Sequence, residues 1–171
     1  MSSFARLVYR SRQFWLALTA PRSGPASAQI APYLSPAQQL LFRRLQPAEQ
    51  AHAFLVLQRL RQGGQQDPDL MTAALLHDVG KVLSPLSLFD RVLIVLGRRF
   101  LPRLARRWEA GEPRGLRRPF VVAARHAEWG AALAAEAGAS ARAVDLIRRH
   151  QEALPAGDSL LAALQAADDE F

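Results

Sequence analysis

Four histidines are the whole imidazole supply of this chain: His52, His77, His126 and His150. The second is followed at once by Asp78, in the run ALLHDVGK, and Lys81 lies four residues after His77 and three after Asp78. One more helical turn brings such positions to a common face. Lys81 is also the single lysine among 22 basic residues, the others being arginines. A second acidic pair, Asp168-Asp169, closes the apolar run LLAALQAADDE. Carboxylates there oppose the helix macrodipole and are tolerated more easily beside a cation. Taken singly, each histidine reads as a packed or helix-terminal residue with a hydrogen-bond partner. Lys81 alone reads as a snorkelling surface side chain, and Asp168-Asp169 as a solvated chain end. Taken together they offer mixed imidazole and carboxylate ligation, which suits iron, manganese, zinc, nickel or cobalt better than calcium or magnesium.

Composition narrows the alternatives. The chain has 171 residues, half of them hydrophobic and 22% charged, enough for one domain with a real core. There is no cysteine, so disulfides, cysteine zinc sites, iron–sulfur clusters and thiol catalysis are excluded. No apolar run approaches the roughly 20 residues that span a bilayer. The net charge of +7 favours anionic partners such as nucleotides, nucleic acid or anionic lipid.

The elements that must position these residues read as helices throughout. No stretch alternates apolar and polar residues as a half-buried strand does. Ser35-Pro36 and Pro47 each open a helix, the second passing His52 and stopping at Gly63-Gly64. Asp67-Pro68 opens a third that is expected to carry His77-Asp78 with Gly80 near its end. Residues 86–110 read as helical with a break at Pro102, and 111–119 as a loop. Further helices are expected at 119–126, 128–137, 140–151 and 159–169. The expected fold class is all-α, a bundle of about seven to nine helices over residues 35–171. Residues 1–34 are expected to be a basic, aromatic-rich docking helix followed by a Pro/Gly/Ser/Ala linker. The N-terminus also mimics a secretory signal, but Arg22 interrupts the approach to a cleavage site. A cytoplasmic location is expected.

The ordered set resembles the HD superfamily of metal-dependent phosphohydrolases: a His, a His-Asp doublet and a distant Asp, all on helices. AHAFLV supplies His52, ALLHDVGK supplies His77 and Asp78, and LQAADDE supplies Asp168. The Lys and two further His of phosphodiesterase-like members are matched by Lys81, His126 in RHAEWG and His150 in LIRRHQE. The resemblance covers about residues 36–171 and implies an HD-domain helical bundle. It implies one or two divalent metal ions. His52, His77, Asp78 and Asp168 would hold the first, Asp78 would bridge, and His126 and His150 would hold the second. It implies hydrolysis of a phosphate ester or anhydride, expected in a nucleotide, with Asp78 and Lys81 as catalytic residues. Two metals lower the pKa of a shared water and clamp an in-line displacement, while Lys81 neutralises phosphoryl charge. The Gly-Tyr-Pro segment of the cyclic-di-GMP phosphodiesterase branch is absent, and LIRRHQE has one His where that branch has two.

Arg125 and Arg149 each precede a histidine and are candidates for holding substrate phosphate through forked hydrogen bonds. The Arg98–Arg118 stretch holds eight arginines against Glu109 and Glu112. It reads as a solvated helical face, a funnel for a polyanionic substrate, or a contact for a membrane or nucleic acid. Rivals to the enzyme are a regulatory HD module that binds metal or nucleotide without turnover, and a nucleic-acid- or membrane-binding protein using this stretch. A complete ligand set with Lys81 favours the enzyme.

Overall fold

The structure is a computed structural model that describes residues 25–154 and 157–171. The expected N-terminal docking helix lies outside the described residues. Polar caps and prolines start the helices where the sequence puts them. α1 is a short turn, Ser27–Ile30, and α2 runs Pro36–Arg43. Ser35 caps α2 reciprocally: its hydroxyl accepts from Gln38 N, and Gln38 Oε1 accepts from Ser35 N at 3.0 Å. α3 spans Pro47–Gln62 and α4 spans Pro68–Leu76, with Asp67 Oδ1 accepting from Leu70 N at 2.9 Å. α5 (Leu88–Phe100) and α6 (Pro102–Glu109) are divided at Pro102, as expected. α7 (Arg118–Glu136), α8 (Ala141–Arg149) and α9 (Ser159–Asp168) complete the bundle, with Ser140 and Asp158 capping the last two. These nine α-helices, with two short 3-10 turns and no strand among the described residues, bear out the all-α expectation.

α4 is the axis of the packing. After its first turn its sequence, PDLMTAALL, is apolar but for Thr72, so little of it suits water. Leu70, Ala73, Ala74, Leu75 and Leu76 are fully buried, with α3, α8 and α9 packed around them. Each buried leucine contributes about 1.5–3 kcal/mol relative to exposure. A helix so placed delivers its next residues into the interior, and those after Leu76 are His77-Asp78.

Three elements differ from the sequence expectation. α4 stops at Leu76 rather than running through the doublet, and a 3-10 turn, Val79–Leu83, succeeds it. The two helices expected at 119–126 and 128–137 are one, because neither Ala127 nor its neighbours break a helix and Ala127 itself is buried. The described end of the expected linker is structured. Ile30 and Leu34 enter the hydrophobic core, and Thr72 Oγ1 of α4 donates to Tyr33 O at 3.0 Å.

The 3-10 turn lies flat against α7, and Gly80 is what permits it. A Cβ on Gly80 would overlap the His126 carbonyl oxygen and fall 2.7 Å from Gly130 N, both rigid helix backbone. Backbone thus meets backbone where the HDVGK segment crosses the helix that carries His126. Gly80→Ala is therefore expected to destabilise the protein by about 3 kcal/mol, the upper range for overpacking. Denaturant melting of the purified variant measures it; a stability within about 0.5 kcal/mol of wild type, the scale of a neutral surface change, would contradict this contact.

Candidate metal centre

Three of the four histidines are fixed by carbonyls of their own helices, while His52, inside α3, is held by Asp168. His77 and His150 come directly after the last residues of α4 and α8, where carbonyls lack intrahelical partners. Their Nδ1–H groups donate to Ala74 O at 3.0 Å and Ile147 O at 2.7 Å. His126, inside α7, donates from Nδ1 to Val122 O at 3.0 Å. A carbonyl only accepts, so Nδ1 carries a proton in all three and Nε2 is the position turned toward the other clustered side chains. The rings meet edge to face: centroids are 5.4 Å apart for His52–His77, 5.1 Å for His77–His150 and 5.2 Å for His126–His150. Four helices thus bring all four imidazoles to one place.

The carboxylates sort these rings into two groups. His52, His77 and Asp168 place ligand atoms within 4.8 Å of one another, and so do Asp78, His126 and His150. His52 Nε2 lies 2.8 Å and His77 Nε2 3.5 Å from Asp168 Oδ1. Asp78 stands between the groups: Oδ1 is 3.2 Å from His126 Nε2, and Oδ2 is 3.6 Å from His77 Nε2. Lys81 Nζ donates to the same Oδ2 at 2.5 Å, so the 3-10 turn achieves the shared face expected of a further helical turn. Of the acidic doublet, Asp168 enters the cluster and Asp169 is exposed.

Burial and charge set the protonation states. Burial disfavours an ionised Asp78, yet Lys81, His77 and His126 outweigh it and hold the carboxyl well below its usual range. Asp168 is likewise held low, against burial, by His77 and His52. Burial also opposes an imidazolium at His77, but Asp78 and Asp168 raise it to about 9. His150 is pushed down to about 3 by burial and by the charges of His77 and His126, so its Nε2 keeps a lone pair.

These residues fit a divalent metal. Nε2 of His77 and Nε2 of His126 are buried without a hydrogen-bond partner among the described residues, at angles or distances that the nearby carboxylates do not satisfy. Buried polar atoms left in this way cost free energy unless something else binds them. Two such nitrogens facing ionised carboxylates are the donor set of a transition-metal site.

The two arginines expected at a substrate phosphate are not drawn into this cluster. Arg149 Nη1 donates to Asp145 Oδ2 at 3.0 Å and Asp158 Oδ2 at 3.1 Å, tying α8 to the cap of α9. A guanidinium held by those carboxylates is committed to the fold. Arg125 is exposed and reaches Ala110 O at 3.5 Å. Sequence reading missed Gly130, whose bare backbone receives the Gly80 turn; its one signal was a glycine inside an unbroken helical pattern.

The described residues thus form an all-α domain that gathers four histidines and two aspartates into one candidate metal centre. A family model, HD domain, matches residues 47–170. The chain belongs to the HD domain family. No curated protein and no solved structure matches it.

Two outcomes check the centre. His126→Ala and His150→Ala should each retain one divalent ion, held by His52, His77, Asp78 and Asp168, whereas Asp78→Ala, which removes the carboxylate shared by both groups, should lose most bound metal; elemental analysis of the three purified variants decides. A metal must also displace the His77 proton, so apparent affinity should weaken steadily as pH falls below about 9. Manganese calorimetry at several pH values tests this, and a pH-independent affinity would contradict it.

Proposed function

We propose that this protein is a phosphohydrolase that uses two divalent ions to hydrolyse a phosphate ester or anhydride, with nucleotides as the substrate class. The observation that carries the reading is the position of Asp78, one oxygen toward each of two ligand groups. A purely regulatory module needs no carboxylate shared between two sites. Membership of the HD domain family supports the same chemistry. When bound, such ions supply an activated water and neutralise charge on the phosphoryl group being transferred.

The chain's own residues do the rest. His77, His126 and His150 form a buried floor, while His52, Asp168 and Lys81 keep side-chain exposures of 20%, 24% and 16% and mark the mouth. A phosphate group enters past those three. Lys81 has three N–H donors and spends one on Asp78, leaving two for phosphoryl oxygens. The same contact aims the Asp78 carboxylate and compensates its charge until substrate arrives. Burial of the floor keeps bulk water from screening these charges. The net charge of +7 draws polyanionic substrates to the surface.

A phosphate-release screen over nucleotides with added manganese or iron tests the reading; no release from any of them, in protein shown to hold two ions, would overturn it. Lys81→Ala separates catalysis from ligation, because an ammonium has no lone pair to give a metal. The variant should keep its metal content and lose about 2–4 kcal/mol of transition-state stabilisation, measured as kcat/KM on the substrate found. Lys81→Arg should recover only part of that, since the wider guanidinium does not replace a point charge.

A further inference from the structure

The α5–α6 hairpin is built unlike the rest of the bundle. Among its apolar residues only Ala105 is buried; Val92, Leu93, Ile94 and Val95 are half-buried, and Leu96, Phe100, Leu101 and Leu104 are exposed. Leu93, Leu96, Phe100, Leu101 and Leu104, with Trp108 and Phe120, line an apolar groove of about 200 Å³ that opens on the surface. Phe100 and Leu101, at the corner between the two helices, are 70% and 56% exposed. An apolar surface of this kind, gathered on one hairpin, marks a contact with something else.

Charge identifies what that contact is. Residues 98–118 hold six of the chain's seven net positive charges. Arg99, Arg103, Arg106, Arg107 and Arg117 on this stretch are exposed, and Arg99 lies over the Phe100 ring at 5.7 Å. A second copy of the chain meeting this face symmetrically would set these arginines against one another. Residues 1–24 carry Arg6, Arg10, Arg12 and Arg22 with no acidic residue, so they share the sign of the hairpin and do not complement it. Nucleic acid would match the charge but leave the corner phenylalanine and leucines in water.

We propose that the α5–α6 hairpin docks the protein on an anionic phospholipid bilayer, its apolar corner entering the interface and its arginines meeting the headgroups. Apolar side chains beside a ring of arginine are the two components of interfacial binding, one from buried area and one from attraction to anionic lipid. Among the described residues no helix is long and apolar enough to cross a membrane, so the contact is to the surface. This proposal stands apart from the metal centre and does not require that the protein be an enzyme.

Flotation of the full chain with vesicles tests it. The protein should float with vesicles containing about a third phosphatidylglycerol, remain behind with pure phosphatidylcholine, and detach as salt rises. Phe100→Ser with Leu101→Ser, and separately Arg103→Glu with Arg106→Glu, should each weaken binding about tenfold or more. All four positions are exposed, so helicity and metal content should match wild type. Failure of the wild-type protein to float overturns the proposal. So does a serine pair that floats like wild type. If, in that case, the glutamate pair also loses binding to duplex DNA, the surface is a nucleic-acid contact; if the serine pair turns an oligomer into a monomer, the face is covered by a second copy.

Discussion

A carboxylate buried at the end of the central helix is the constraint on which the structure depends. Asp78 is 4% exposed and ionised, and an uncompensated charge in such a place costs several kcal/mol. Compensation comes from Lys81, three residues on, and from His77 and His126. Each compensating group makes its own demand on the fold. Lys81 must come back over Asp78, which the 3-10 turn achieves. His126 must approach from α7, which Gly80 permits by offering no side chain against that helix. His77 must hold its ring upright, which its bond to Ala74 O secures. Sequence, local backbone and electrostatics therefore converge on one residue pair, and the other clustered side chains are arranged around it.

Helix ends do most of the positioning. His77, His150 and Asp168 all sit at helix C-termini, where a histidine satisfies an orphan carbonyl and in the same act turns Nε2 inward. Asp168 is the unfavourable member, since its charge opposes the dipole of α9, and His52 and His77 offset it. The hydrogen bond of a plain helix-capping histidine is here also the one that orients a candidate metal ligand. The difference lies in whether Nε2 faces water or other ligands.

Much of this was legible in the residues. Ser35-Pro36, Asp67-Pro68 and Pro102 announce helix starts through fixed φ and a cap, and those effects are local. The six clustered side chains were visible because histidine is scarce in the chain and Asp78 adjoins one of the four. The unbroken run of α7 was harder to read, since an alanine-rich sequence carries little periodic contrast. The place of Ile30 and Leu34 in the core was hidden, because burial of two apolar residues in a short turn is decided by distant α4. The carboxylate grip on Arg149 depends on Asp158, nine residues away across a loop, and adjacency to His150 pointed elsewhere. Local chemistry was readable; tertiary partners were not.

The proposed chemistry rests on two ions sharing Asp78. Crystals grown with manganese, with anomalous diffraction collected near its absorption edge, address that directly. Two anomalous peaks are predicted, one among His52, His77 and Asp168 and one among Asp78, His126 and His150. A single peak, or none within this cluster, would contradict it.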